Sequence, residues 1–162
     1  LQRLIAEHGI RAEMVNAGRF LVPPLTHRLV GRPSQEQMTV AYARLCLSYV
    51  GAVCLRRGTL RLDDFTPAAL ADPDTLALAG RLSVIADGNP DPNALHPVRI
   101  ELDLTDRRTV TCDVTAILGS PARPLTPEQA RAKFAACGAP PELWNAAITL
   151  DELGNAASLC RI

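Results

Sequence analysis

The sequence predicts an α+β domain in which a mostly antiparallel sheet is covered by helices on one side, with further helices at the C-terminal end. Apolar and polar residues alternate strictly over residues 98–104 and 109–114, which is typical of a hairpin with one buried and one solvated face. The apolar segment 45–55 is typical of a buried helix, and Thr126-Pro127 has the residues that start another helix. Strands and helices do not alternate regularly along the chain, so the sequence does not indicate a parallel, dinucleotide-binding sheet.

The first third of the chain is predicted to contain a helix, a strand and a long helix. Residues 1–8 carry apolar residues at helical spacing, and Gly9 ends this helix. Residues 15–22 read as a strand because β-prone side chains alternate there. Thr39 is placed to cap one continuous helix whose body is residues 39–57.

The middle of the chain consists of short elements. Thr66-Pro67 starts a short helix after a turn, and Asp72-Pro73 separates it from the helical residues 75–81. Residues 82–86 form a short strand that leads into the loop 87–93.

The last part of the chain is predicted to be helical. The helix that begins at Thr126 ends near Gly138, since glycine is the usual residue just after a helix. A second helical region runs from Pro140 through Leu153, and residues 155–162 add a turn or two.

Composition excludes several classes of partner. The 162 residues include 17 basic and 17 acidic side chains, so a polyanion such as nucleic acid has no basic surface to bind. The apolar segment 45–55 is shorter than the ~18 residues that a membrane-spanning helix needs. The sequence contains no GxGxxG, GxxxxGK, HExxH or GxSxG motif, so we predict no bound cofactor and no metal.

The cysteines and the first residue indicate the setting of the chain. The cysteines are odd in number and form no CxxC pair, so we predict neither a disulfide framework nor a zinc site, but small buried side chains in a reducing cytoplasm. They are Cys46, Cys54, Cys112, Cys137 and Cys160. The chain begins at Leu1 without a leader pattern, which predicts a fragment of a longer protein.

The other chemically versatile residues have ordinary explanations. The three histidines stand far apart in the sequence, at helix ends or in loops, where a solvated imidazole is expected. Asp63-Asp64 resembles a metal-binding pair, but a solvated edge or a helix cap explains it better. Arg107-Arg108 reads as a soluble hairpin tip, and Lys133 as a surface residue of its helix.

Tyr49 is the candidate functional residue because it lies within the apolar helix. Leu45, Tyr49 and Val53 follow each other at a spacing of four and therefore share one helical face. A buried phenol needs a hydrogen-bond partner, so its hydroxyl either joins a structural network or points into a cavity. Periodicity alone favours the structural role.

The order of several segments resembles the MmgE/PrpD family, which includes 2-methylcitrate dehydratase, cis-aconitate decarboxylase and an iminodisuccinate epimerase. Residues 43–58 resemble its helix with the pattern EARxSxQY...A..L..G, and residues 65–84 resemble its f....l.dp.v..La.kv.v stretch. Residues 106–134 resemble the family's hairpin, its Gly-Ser-Pro and Arg-Pro-Leu segments and the Lys-Phe that follows. Arg107 stands where the family has a hairpin glycine, which predicts a longer or differently wound tip.

The resemblance implies a division of the chain. Residues 1–124 would form most of a lid-like α+β domain, and residues 125–162 would be a helical segment that returns to an all-helical domain. The main catalytic histidines and lysines of the family lie upstream, in positions that this sequence lacks. Tyr49, which ends the family's SxQY pattern, is the active-site position that carries over, although Cys46 and Ser48 depart from that pattern.

The function implied is that of the C-terminal portion of a lyase-like enzyme, acting on a small di- or tricarboxylate such as a 2-methylcitrate-like substrate by general acid and base catalysis. Tyr49 would donate a hydrogen bond or a proton to a carboxylate or enolate of the substrate. The implied partners are an upstream helical domain, which would cover an apolar face of this chain, and a second copy in a homodimer. The alternative is a non-catalytic dimerisation or ligand-binding module. As an isolated chain we predict no activity.

Overall fold

A computed structural model describes residues 1–152, 154, 155 and 157. The chain divides into two compact units, Leu1–Ile117 and Leu118–Ile162. The strands are β1 (Val15–Val22), β2 (Leu82–Ala86), β3 (Val98–Leu104) and β4 (Thr109–Val114). The helices are α1 (Gln2–His8), α2 (Pro24–Val30), α3 (Val40–Arg44), α4 (Leu47–Arg57), α5 (Pro67–Leu70), α6 (Pro73–Ala79), α7 (Pro127–Ala136) and α8 (Pro141–Ile148).

The first unit contains one four-stranded sheet in the order β2-β1-β3-β4. β3 pairs antiparallel with β1 and with β4, and β1 pairs parallel with β2. The β3–β4 hairpin is local, whereas the parallel pair requires the long crossover that contains helices α2 to α6. The predicted α+β class with a mostly antiparallel sheet is therefore confirmed.

One face of the sheet is apolar and buried. Across the strands, Phe20 is paired with Ile100 and Ile100 with Cys112, and all three side chains are buried. Side chains of α1, α4 and α6, including Leu4, join the same core cluster. Helices therefore cover this face, as the alternation of apolar residues predicts.

The opposite face of the sheet carries a network of charges. Arg19 on β1 lies 3.0 Å from Glu101 and 2.8 Å from Asp103, both on β3. Arg99 lies 3.0 Å from the other carboxylate oxygen of Glu101. These groups are partly exposed, so their pairs add register specificity more than stability.

Helix α4 approaches the sheet closely at Gly51. A Cβ atom at this position would lie 2.7 Å from the ring of Phe20 and 3.3 Å from Leu82. The missing side chain therefore lets the helix backbone lie against the sheet. Within the sheet, a Cβ at Gly18 would lie 2.6 Å from Leu82 and 2.9 Å from Leu102, so this glycine makes room for the side chains of its two cross-strand partners.

The prediction of one continuous helix over residues 39–57 is wrong. Thr39 does cap a helix, since its side chain accepts a hydrogen bond from the backbone N–H of Tyr42. That helix ends at Arg44, and Cys46 adopts an extended backbone that pairs with Gly31 before α4 begins. This tertiary pairing interrupts a segment whose local sequence favours a helix, and it leaves Leu45 42% exposed instead of buried.

Local signals predicted the remaining short elements well. Gly9 ends α1 in the left-handed conformation, and Asp72 separates α5 from α6 by accepting a hydrogen bond from the backbone N–H of Thr75. Helix α2 was not predicted, because the pair Pro23-Pro24 is also typical of the end of a strand. Pro24 instead occupies the first turn of α2, where a missing N–H costs nothing.

The tip of the β3–β4 hairpin is longer than a two-residue turn, as predicted. The backbone N–H of Arg107 donates to the Leu104 carbonyl, and the N–H of Leu104 donates to the Arg108 carbonyl. Arg107 has a φ of 72°, in the left-handed region that favours glycine. Arginine therefore occupies a strained position that a glycine would occupy at lower cost.

The second unit contains α7 and α8. Thr126 and Gln129 form a reciprocal capping box at the start of α7, as the sequence predicts. The rings of Phe134 and Trp144 meet edge to face with centroids 5.3 Å apart. Cys137 is exposed and Cys54 is only partly buried, which corrects the prediction that every cysteine is buried; Cys160 lies outside the described residues. The predicted turns over 155–162 fall almost entirely outside the described residues.

Candidate functional site

Tyr49 lies at the centre of a small buried cluster. Its side chain is fully buried on α4, and Val53, one turn later, is buried on the same side. The Tyr49 ring packs against the ring of Phe65, with centroids 6.1 Å apart. The cluster is completed by Met38, Ala43, Cys46 and Leu70.

The hydroxyl group of Tyr49 is committed to backbone acceptors. It donates a 2.6 Å hydrogen bond to the carbonyl oxygen of Asp64 and also lies 3.2 Å from the carbonyl oxygen of Ala69. A phenol has one proton, so a hydrogen bond to any other acceptor requires release from the Asp64 carbonyl. In this structure the Tyr49 hydroxyl therefore belongs to a structural hydrogen-bond network, the alternative that periodicity alone favoured.

The protonated form of Tyr49 is favoured by its surroundings. Burial raises the pKa of the Tyr49 phenol, and the nearby negative charges of Asp64 and Asp72 raise this pKa further. At neutral pH the hydroxyl therefore keeps its proton and acts as a donor.

Asp64 is the most deeply buried charged side chain of this region. It is 1% exposed, and its Oδ2 accepts a 2.6 Å hydrogen bond from the backbone N–H of Arg61. Its Oδ1 lies 3.0 Å from a guanidinium nitrogen of Arg57 on α4. Of the Asp63-Asp64 pair, Asp64 is therefore a cap of the 3₁₀ turn Leu62–Phe65, as the ordinary explanation holds, although it is not solvated.

A second polar network lies beside the first. Arg56 forms an ion pair with Asp72, donates a hydrogen bond to Thr75, and lies 3.2 Å from Asp74. The hydrogen bond from the Thr75 hydroxyl lowers the pKa of the Asp72 carboxyl, and the Arg56 guanidinium lowers that pKa further. The carboxylate is therefore held ionised at the start of α6.

These groups surround a cavity of about 430 Å³. Its lining residues include the potential hydrogen-bond donors Tyr49, Arg56, Arg57, Thr66 and Thr75, of which Tyr49 is fully buried. Such donors suit a carboxylate ligand, but both guanidinium groups already pair with aspartates that line the same wall. A bound anion would therefore have to compete with Asp64 and Asp72.

The other residues singled out from the sequence do not join this site. His8 and His96 are exposed, and His27 is half-buried on α2; none of them lines the cavity. Lys133 is exposed on α7. Within the described part of the chain, no group of three or more His, Cys, Asp or Glu side chains is placed to hold a metal ion.

Arg56, Arg57 and Thr75 were not identified from the sequence. One signal was available for Arg56, since it follows Tyr49 by seven residues and therefore lies on nearly the same helical face. No comparable signal marked Thr75, because the tertiary packing of α6 against α4 brings it to the cavity.

A larger cavity of about 580 Å³ lies between the loop that contains Ser34 to Gln37 and helix α6. Glu36 is the one titratable side chain in its wall, so the cavity offers no acid–base pair.

None of the helices in the described residues is long and apolar enough to cross a membrane.

Comparison with known proteins gives the family of the chain. A search of curated proteins finds no match. The sequence profile of the MmgE/PrpD C-terminal domain matches residues 1–142, which includes the whole sheet, Tyr49 and every residue of its cavity. The chain thus belongs to the MmgE/PrpD family, of which it forms a C-terminal part.

Proposed function

We propose that this chain is the C-terminal portion of a lyase-like enzyme that dehydrates a small di- or tricarboxylate, such as a 2-methylcitrate-like substrate. The observation that carries the proposal is the family match over residues 1–142, a range that includes Tyr49. Dehydration of a hydroxy acid needs a base that removes a proton next to a carboxylate and an acid that assists the leaving hydroxyl group. The upstream domain would supply these groups.

Tyr49 is the residue that we propose for a role at the active site. A protonated phenol in a water-poor setting can donate a hydrogen bond to a carboxylate or enolate as negative charge develops. Its raised pKa and its place in the wall of the 430 Å³ cavity support this role. To act in this way, the hydroxyl has to leave the Asp64 carbonyl when substrate binds.

We propose that the upstream helical domain of the same protein covers the apolar groove between α4 and the sheet, and that the complete protein is a cytoplasmic homodimer. The groove has a volume of about 490 Å³ and a mostly apolar wall that includes Phe20, Leu47 and Ile100. A wall of this composition suits a helical surface of complementary shape.

The test is Tyr49→Phe in the complete enzyme, because this change removes the hydroxyl and keeps the ring packed against Phe65. We expect kcat for dehydration to fall about 10–100-fold, the range of a lost transition-state hydrogen bond of roughly 1.4–2.7 kcal/mol. Formation of the conjugated alkene product, followed by ultraviolet absorbance, measures this rate.

Tyr42→Phe is the matched control, since the Tyr42 hydroxyl donates to the Pro33 carbonyl outside the cavity. We expect this substitution to leave turnover unchanged. Wild-type kcat and KM in Tyr49→Phe would remove Tyr49 from the active site. The 162-residue chain alone is expected to show no turnover, and activity from it would contradict the need for an upstream domain.

A second candidate function is a non-catalytic dimerisation or ligand-binding module of the same fold. The observation that favours it is the Tyr49 hydroxyl, which already has a 2.6 Å acceptor inside the fold. A complete gene product without dehydratase activity on hydroxy di- and tricarboxylates, but with a stable dimer, would support this candidate over the enzyme.

A further inference from the structure

The 3₁₀ turn Leu62–Phe65 buries a charge and exposes an apolar side chain. Asp64 is nearly inaccessible to solvent, whereas Leu62 in the same turn is 57% exposed. Solvation alone would favour the reverse orientation, with Leu62 buried and Asp64 exposed. Moving an ionised carboxylate out of water costs more free energy than burying a leucine side chain gains. Specific contacts must therefore hold Asp64 inside.

The contacts of Asp64 join the turn to helix α4 at two points. The side chain forms the ion pair with Arg57, and the backbone carbonyl accepts the hydrogen bond from the Tyr49 hydroxyl. Both Arg57 and Tyr49 belong to α4. Helix α4 thus carries both Tyr49, whose hydroxyl donates to the Asp64 carbonyl, and Arg57, which pairs with the Asp64 side chain.

We propose that Asp64 is a positioning residue for Tyr49: its carboxylate, held by Arg57 and by the backbone N–H of Arg61, fixes the carbonyl that orients the Tyr49 hydroxyl. The inference rests on the proposed active-site role of Tyr49. The ion pair limits how far the turn can move from α4, and it therefore sets how readily the hydroxyl leaves its carbonyl to meet a substrate.

The exposed end of the ion pair makes the inference testable without disturbing the core. The Arg57 side chain is 56% exposed, so Arg57→Gln removes the charge without leaving a cavity. Arg56→Gln is the matched control, because Arg56 is the neighbouring residue of α4 and pairs with Asp72 and Asp74 instead of Asp64. Arg57→Lys restores the charge.

The experiment measures solvent exchange of the Tyr49 hydroxyl proton by NMR in the 162-residue chain. Tyr49 and Tyr42 are the two tyrosines of the sequence, so a Tyr42→Phe background leaves one phenol signal. We expect Arg57→Gln to speed this exchange about two- to fivefold, the factor that a half-exposed ion pair provides. Arg57→Lys should return the rate toward wild type, and Arg56→Gln should leave it unchanged.

Backbone amide exchange in β1 separates local positioning from a general loss of stability. If the hydroxyl and the β1 amide protons accelerate by the same factor in Arg57→Gln, or if the hydroxyl rate does not change, the proposal is wrong. Asp64→Asn should also speed exchange of the Tyr49 hydroxyl proton. If Asp64→Asn does not fold, the result for Arg57→Gln alone tests the proposal. Because no turnover is measured, failure here is distinct from failure of Tyr49→Phe in the complete enzyme.

Discussion

Asp72 shows how one side chain can serve two purposes. Its carboxylate accepts the hydrogen bond from the backbone N–H of Thr75 at 2.9 Å, which caps α6, and it pairs with Arg56 on α4. The sequence predicted the break at Asp72-Pro73 from local chemistry alone. It did not predict the ion pair, since residues 56 and 72 meet only after α4 and α6 pack together.

We expect Asp72→Ala to lower the free energy of unfolding by about 1–2 kcal/mol, the usual cost of a lost helix cap. Asp74→Ala is the control, since Asp74 pairs with the same arginine but is 79% exposed and caps nothing; its effect should stay below about 0.5 kcal/mol. Urea unfolding at neutral pH measures both changes. Equal effects of the two substitutions would contradict the capping role.

The contribution of Asp72 to the free energy of unfolding depends on pH. The pKa of Asp72 is lower in the folded chain than in the unfolded chain, so this stabilising contribution is fully present above the unfolded pKa. The contribution is lost as the pH falls through the folded pKa. The gap between wild type and Asp72→Ala should therefore narrow in acid, in the same urea titrations.

At the scale of elements, the contact between α4 and the sheet depends on a glycine whose packing partner the sequence does not identify. From the sequence, Gly51 and Ala52 predict that another element approaches the helix closely, but they do not identify that element. The structure shows that the missing Cβ of Gly51 accommodates the Phe20 ring. The break between α3 and α4 has the same origin, since the pairing of Cys46 with Gly31 lies outside any local sequence window.

We expect Gly51→Ala to be destabilising by about 1 kcal/mol, because overpacking at a buried contact costs about 1–3 kcal/mol and exceeds the helix propensity that alanine gains. Gly80→Ala is the control: its φ is −64° and its nearest contacts are ordinary at 3.6 Å, so it should be stabilising by about 0.4–1 kcal/mol. Denaturant midpoints measure both. A stabilising Gly51→Ala would show that the Phe20 ring moves aside freely.

At the scale of the whole molecule, the two hydrophobic clusters that form the core lie entirely within the unit Leu1–Ile117. The unit Leu118–Ile162 contributes no residue to either cluster among the described residues. A segment that supplies no core residue adds little to the stability of that core.

We therefore expect residues 1–117, expressed alone, to unfold cooperatively. The thermal midpoint should be nearly that of the same transition in the 162-residue chain, with both midpoints measured by near-ultraviolet circular dichroism. Loss of a cooperative transition in the shorter chain would show that the second unit is required. The matched control is a chain ending at residue 97, which lacks β3 and β4 and should not fold.

The sequence by itself determined the α+β class, the alternating hairpin, most helix caps and, through the order of its motifs, the family. Each of these depends on neighbours within a few residues or on motif order. Tertiary structure alone decided that Tyr49 donates to the Asp64 carbonyl, that Arg57 reaches Asp64, and that Cys46 interrupts a helix. The physical reason is that these contacts join residues that lie apart in the sequence or on different elements. Cys46 and Gly31 are 15 residues apart, whereas Tyr49 and Arg57 lie on α4 and Asp64 in the 3₁₀ turn. The energies of such contacts arise only when the chain has folded.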